Sequence, residues 1–221
     1  NTLSRDCLNA ESGQARNIHY GDVLVKYGFI VDIQNNQVPF VNSDVECKRW
    51  DRLKDGDIVI ADTAEDDSVG KAVEVTNIGS EVVYSGLHTI ACRPRESFAR
   101  NYLGYYMNSD AYHDQLRPYM QGIKVTSVSK GNIALTRMSV PSLPEQRKIA
   151  GLLSAVPRDE CSVPHVAGLE HARPLRIKRQ RVHQIHHRVG RNFINDLRDH
   201  PIRVFLHPVV DGRLGRVVKG C

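Results

Sequence analysis

No run of eighteen apolar residues occurs in this 221-residue chain, and no signal-peptide pattern opens it. A membrane-spanning helix of ordinary length and a secretory leader are therefore not expected, and we read a soluble, cytoplasmic chain with no membrane partner. The five cysteines, Cys7, Cys47, Cys92, Cys161 and Cys221, are odd in number and include no C-x-x-C pair, which argues for reduced cytosolic thiols over a disulfide framework. Catalytic signatures are missing as well. There is no Asn-Pro-Pro-aromatic motif for amino-methylation, no glycine-rich loop for an adenosyl cofactor, no nuclease-like Asp…Glu-x-Lys set and no G-x-S-x-G turn. The acidic run 62–68 lacks the Gly and Glu that a calcium loop places at its sixth and twelfth positions. Val69-Gly70-Lys71 is followed by Ala72 and has Glu65 where a phosphate-binding loop needs glycine. In the C-terminal part, Cys161, His165, His171, His183 and His186 match no standard zinc spacing. The expectation is a chain that binds and does not catalyse, with no catalytic residues, no metal and no cofactor of its own. Because it begins with Asn and not Met, a fragment, a processed chain or an incomplete gene product is expected.

What is present divides by region. Hydrophobic residues make up 41% of the chain, enough for one good-sized core plus an appendage or for two small domains. Residues 1–156 hold 17 Lys+Arg against 19 Asp+Glu, whereas residues 157–221 hold 13 against 6. The overall charge of +5 is thus a property of the tail, and any nucleic-acid contact by the body must use a local patch.

Along the body, GDVLVKYG (Asp22 to Tyr27) and GDIVIADT (56–63) read as two strands, each entered by a Gly-Asp turn. Val38–Val41 is a short extended piece, and Lys48-Arg49-Trp50 with Arg52 sets cations beside the single tryptophan, which we expect to pack. Residues 71–75, 81–84 and 88–93 read as a meander of strands with turns at Asn77–Gly79 and Ser85–Gly86. His88, ahead of the strand ending at Arg93, either faces a ligand or is a hydrogen-bonded structural residue. The period then changes. Phe98, Tyr102, Tyr105 and Tyr106, then Tyr112, Leu116 and Tyr119, recur at helical spacing, with Asp110 as N-cap, and predict two core-facing helices over 97–107 and 110–119. The fold class expected is α+β, a curved, mostly antiparallel set of short strands up to about residue 95 followed by helices.

The stretch Gln121 to Ala155 organises the rest. Gln121, Lys124, Thr126, Ser127, Ser129, Lys130 and Asn132 crowd donors and acceptors around Gly122 and Gly131, chemistry suited to a polar polymer. Ser142-Leu-Pro-Glu145 predicts a capping box with Pro144 in the first turn, and Ile149, Leu152, Leu153 and Val156 form the buried stripe of a helix. These residues resemble the end of a target-recognition domain in the specificity subunit of type I restriction-modification enzymes. Gln121-Gly122, Val140-Pro141, Leu143-Pro144, Glu145-Gln146 and Lys148-Ile149-Ala150 stand where that family has its polar loop and Pro-x-x-Glu-Gln junction, and Gly56–Ile60 with Val69-Gly70 is similar to its GDI strand and turn. The resemblance covers about residues 1 to 155. It implies a non-catalytic domain (1–143) reading one half of a split site in double-stranded DNA, followed by the start of a spacer helix (144–156). Partner modification subunits, using S-adenosylmethionine, methylate adenine, and a motor-nuclease restriction subunit cleaves unmarked DNA. Under this reading Gln121, Lys124 and Asn132 address base edges, Lys130, Arg93 and Arg137 address phosphates, and Gly122, Thr126, Ser127 and Ser129 complete the DNA-binding set.

The chain departs from the family after Val156. Pro157, Pro164 and Pro174 interrupt the helix, and the tail carries 11 Arg, 2 Lys, 7 of the 10 His and no Tyr. We expect 157–221 to be a disordered basic arm or, preferred here, an aberrant continuation of a truncated gene. Two rival readings remain at this point: an RNA- or anion-binding module acting through that tail, and a small hydrolase using His88 or His113 with a carboxylate.

Overall fold

The computed structural model describes residues 1–47, 50–122, 124–155, 201–202 and 207–208; the Lys48–Arg49 half of the tryptophan cluster, Val156 and the histidine and cysteine set of the tail lie outside them. The strands are β1 (Leu8–Asn9), β2 (Arg16–Ile18), β3 (Ile30–Asp32), β4 (Phe40–Val41), β5 (Ile58–Ala61), β6 (Thr63–Ala64), β7 (Ala72–Thr76), β8 (Val83–Ser85), β9 (Thr89–Arg93), β10 (Thr126–Ser127), β11 (Met138–Ser139), β12 (Pro201–Ile202) and β13 (His207–Pro208). The helices are α1 (Tyr20–Val25), α2 (Tyr102–Tyr106), α3 (Asp110–His113), α4 (Lys130–Ala134) and α5 (Leu143–Ala155). This is a mixed α+β fold.

A five-stranded sheet ordered β13-β9-β5-β7-β3 divides the molecule. All residues of β5 and β7 are buried, so both faces of this sheet are covered. Ile58, Ile60 and Ala72 face a core shared with α2, α3, α4 and α5. Val59, Ala61, Val73 and Val75 face a second core containing Ile18, Val23, Tyr27 and Val83. The opposition follows from the period of two along each strand. A second sheet, β1-β4-β2-β8, carries a smaller cluster on which Trp50 packs, its ring edge-to-face with Tyr84 at 5.5 Å. Pairing is mainly antiparallel, with β2–β8 and β3–β7 parallel.

Several expectations are corrected. Residues 22–27 are helical: α1 is capped by His19, whose Nδ1 accepts from the Gly21 N–H at 3.2 Å. Asp22, Val23 and Tyr27 are buried while Val25 is 65% exposed, a spacing that fits a turn of helix and not a strand. The two Gly-Asp copies share a different role, since each aspartate holds an arginine: Asp22 takes Arg5 and Asp57 takes Arg93. Strands β7, β8 and β9 form no meander, because β5 inserts between β7 and β9 and β8 joins the other sheet beside β2. The first aromatic helix shortens to Tyr102–Tyr106, entered through Asn101 at φ +69°. The second starts after Ser109 in place of Asp110 as N-cap, and Arg117–Tyr119 around Pro118 forms a separate 3-10 turn. The tyrosine stripe is core as expected, with Tyr102, Tyr105, Tyr106 and Tyr112 buried.

Helix α2 is seated by one buried acid. Glu74, on β7, accepts the N–H groups of Asn101 at 2.7 Å and Gly104 at 3.0 Å. A Cβ on Gly104 would collide with the Phe29 carbonyl oxygen and the Ile30 side chain, so only glycine allows this approach. The tyrosines then tie down the segment 136–139. Tyr102 donates to the Ser139 carbonyl, Tyr106 accepts the Ser139 N–H, and Thr136 donates to the Tyr112 hydroxyl.

At the Pro-x-x-Glu-Gln junction, the Glu145 carboxylate accepts both the N–H (2.9 Å) and the hydroxyl (2.7 Å) of Ser142. Buried Gln146 accepts from the Ala99 N–H and donates to the Pro141 carbonyl. The stripe of α5 is Gln146, Ile149, Ala150 and Leu153, and Leu152 is exposed instead.

Replacing Glu74 by Gln sets an amide NH2 against one of the two N–H donors. We expect it to lower stability at neutral pH by about 1–3 kcal/mol in denaturant unfolding. Burial raises the Glu74 pKa more than these N–H groups lower it. The folded chain therefore holds this proton more tightly than the unfolded one, and the carboxyl's contribution falls as pH rises through its raised value. The Gln variant should lack that slope.

Candidate nucleic-acid interface

The polar segment expected to read DNA is a closed and anchored turn. The main chains of Gln121 and Ser127 exchange hydrogen bonds at 3.1 and 2.9 Å. Gly122, at φ +133°, occupies a place where a Cβ would strike the Val125 carbonyl oxygen, which explains the Gln-Gly pair. Strand β10 pairs with β6, Thr126 opposite Ala64 and Ser127 opposite Thr63. Val128 continues the attachment through its N–H to the Asp62 carbonyl (2.9 Å) and buries its side chain. Ser129 then caps α4, its hydroxyl accepting the Asn132 N–H at 3.1 Å.

The result is a two-stranded ribbon of β6 and β10, flanked by the Gln121–Ser127 turn and continuing into a short helix. Gln121, Gly122, Lys124, Ser127, Ser129 and Lys130 are exposed, and Thr126 and Asn132 are half-buried. These eight candidates occupy one continuous anchored segment. Ser129 is engaged as a cap, so its hydroxyl is less free than the sequence suggested.

The two arginines differ from this group. Arg137 has an exposed side chain, and its backbone is clasped by the Gln115 amide, which accepts from its N–H at 2.8 Å and donates to its carbonyl at 3.0 Å. Arg93 is committed elsewhere. Its guanidinium donates to both oxygens of buried Asp57 at 2.9 and 2.7 Å and to the Arg52 carbonyl. The Asp57 carboxylate also accepts the Lys54 N–H, closing the turn in which Gly56 adopts φ +83°. We therefore drop Arg93 as a phosphate contact.

The same ribbon abuts two features of the opposite chemistry. Beyond β6, Glu65, Asp66 and Asp67 are exposed, and hydrogen bonds from Ser68 hold the Asp66 pKa below its ordinary value. A cleft of about 740 Å³ lies beside them, lined among others by Tyr20, Thr63, His113, Arg117 and Val125. On its other side, His88 Nδ1 lies 3.5 Å from both the Asp62 carboxylate and the Thr63 hydroxyl. The Thr63 hydroxyl donates to that carboxylate at 2.8 Å.

Both contacts of His88 fall on one nitrogen. A hydrolytic triad needs the acid on one ring nitrogen and the nucleophile on the other, so this arrangement does not support the hydrolase reading. His113 instead meets the Val69 carbonyl through Nε2 at 2.9 Å. Among the described residues no group of three His, Cys, Asp or Glu is arranged to hold a metal, and no helix is long and apolar enough to cross a membrane. Asp62 and Thr63 were not singled out from the sequence as site residues. Their only signal was position, a polar pair at the exit of a wholly apolar strand.

No family profile matches the sequence, and no curated protein is significantly similar to it. Among solved structures, the crystal structure of the type I restriction-modification system S subunit from M. genitalium is similar over 69% of this chain and 33% of that one, with 11% sequence identity and a TM-score of 0.39. The chain thus spans about a third of that protein's length.

Arg93→Ala leaves the Asp57 carboxylate buried without its ion pair. Stability should fall by up to about 3 kcal/mol in thermal or urea unfolding, the lower range for a buried pair because Arg93 is itself part-exposed. Ser129→Ala should cost about 1 kcal/mol through loss of the cap, seen as faster amide exchange across α4.

Proposed function

We propose that this chain reads a DNA sequence without doing chemistry on it, as the specificity subunit of a type I restriction-modification assembly. The observation that carries this reading is the anchored ribbon. Its exposed donors and acceptors project from a turn fixed at Gln121–Ser127 by main-chain bonds and at Thr126–Val128 by the chain around β6. The major groove of B-DNA admits a two-stranded ribbon, and rigid attachment limits the entropy lost on docking. Gln121 can pair with adenine through both amide groups, and Lys124 and Lys130 supply sequence-independent attraction to phosphates. Arg137 is a further phosphate candidate.

The sequence resemblance around the Pro-x-x-Glu-Gln junction supports the same assignment. Residues 1–143 then form the reading domain and 144–156 the beginning of the connecting helix. Double-stranded DNA, modification subunits carrying S-adenosylmethionine and a restriction subunit are the partners this reading implies. Glu145 and Gln146 serve the junction itself, since one caps α5 and the other locks it to Ala99 and Pro141.

Selection from random-sequence DNA by the full chain, alone and with a type I modification subunit from the same genome, tests the proposal. We expect enrichment of one defined site and an affinity that falls steeply with salt. Lys124→Ala and Lys130→Ala should each weaken binding to all sequences alike and reduce the log–log salt slope by about 0.9. Gln121→Ala should relax preference at one base pair, by about 1–3 kcal/mol. Failure to associate with either the modification subunit or any DNA overturns the proposal.

A further inference from the structure

We propose that His88 is a second base-reading group of this interface, using Nε2 to accept a hydrogen bond from the exocyclic amino group of adenine or cytosine in the major groove. The inference rests on the DNA-reading proposal and adds a residue from a different part of the chain.

Placement is the first argument. The Asp62 N–H donates to the His88 carbonyl at 3.1 Å, and the Asp62 carbonyl accepts the Val128 N–H at 2.9 Å. One residue on, Thr63 is the register partner of Ser127. Asp62 and Thr63 therefore bridge His88 to the ribbon and set the imidazole beside the same edge that carries Ser127.

Orientation is the second. Tyr20 packs edge-to-face on the His88 ring at 5.3 Å, and His19 lies against Tyr20 at 4.6 Å. Nδ1 faces Asp62 and Thr63. The Thr63 proton is already directed to Asp62, so the Asp62 carboxylate favours the tautomer with hydrogen on Nδ1. In the neutral ring the Nε2 lone pair is then the free function. It is an acceptor, complementary to the amino donors that adenine and cytosine present in the major groove. The carboxylates flanking this edge oppose phosphate contact and suit an approach to base donors.

The backbone is the third. Among the described non-glycine residues only Asn77, His88 and Asn101 have positive φ, and His88 lies at +51°. Asparagine, aspartate and histidine enter this region more often than other non-glycine residues. The side chain so displayed is nonetheless 49% exposed. The turn itself sets no requirement for an imidazole, since Gly or Asn meets the same backbone condition.

His88→Gly removes the ring without straining the turn, and an unchanged thermal unfolding profile establishes that the fold is kept. The full chain is assayed together with its modification subunit. Selection with the variant should lose preference at one base pair and keep the rest, and affinity for the wild-type site should drop about 5- to 150-fold, equivalent to about 1–3 kcal/mol. For an adenine contact, purine in place of that adenine should weaken the wild type by the same factor and leave His88→Gly unaffected; an amino-free pyrimidine analogue does this for cytosine. Retention of every preference and of full affinity by His88→Gly overturns the inference and leaves the ribbon's role intact. A wild-type complex without any sequence preference overturns the parent reading, and this one with it.

Discussion

A carboxylate buried on the middle of a sheet is tolerable only where donors converge on it, and Glu74 meets that condition through the first N–H groups of α2. Much of the helical face depends on this contact. It holds α2 against β7 at the one glycine that permits the approach, and α2 presents Tyr102 and Tyr106 to Ser139. The Ser139 segment leads into α5, which Gln146 binds back to Ala99 just ahead of α2. The loop is thereby closed. Polar atoms buried in pairs specify one arrangement of helices over an apolar sheet that would otherwise accept several.

The polar turn at 121–127 is anchored by different means. Among the described residues of 121–129, Val128 is the one buried side chain, and main-chain bonds to the chain around β6 supply the rest of the attachment. In the antiparallel register Glu65 to Asp67 follow Ala64 toward the end where Val125 and Lys124 lie, whereas Lys130 follows Val128 at the other end. Opposite charges this close leave the edge without a field of one sign, so an anionic partner would be drawn to the lysines and turned away from the carboxylates.

The strands at 58–61, 72–76 and 89–93 were legible because β-branched runs bounded by Gly, Asn and Asp have few alternatives. The capping of α5 and the burial of the tyrosine stripe were legible for a similar local reason. Asp22 to Tyr27 was misread because a short apolar run carries no decisive period, and the deciding interactions, His19 to Gly21 and Arg5 to Asp22, involve residues outside the run. The candidate site divides the same way. The concentration of polar side chains over 121–132 is visible in composition, whereas nothing local shows that Asp57, 36 residues away, takes the Arg93 guanidinium.

By itself the sequence determined the α+β class, the strands at 40–41, 58–61, 72–76, 83–85 and 89–93, the start of α5 and the stretch where polar side chains concentrate, since each depends on neighbours within a few residues. Tertiary structure alone decided that β5 lies between β7 and β9, that Glu74 seats α2, that Gln146 is a lock and not a surface residue, and that His88 joins the ribbon's edge through Asp62 and Thr63. Those outcomes turn on strand pairing, hydrogen bonds and ion pairs between groups 12 or more residues apart. Such pairings leave no periodic mark in a sequence, because one polar residue with a distant partner looks the same as one facing water.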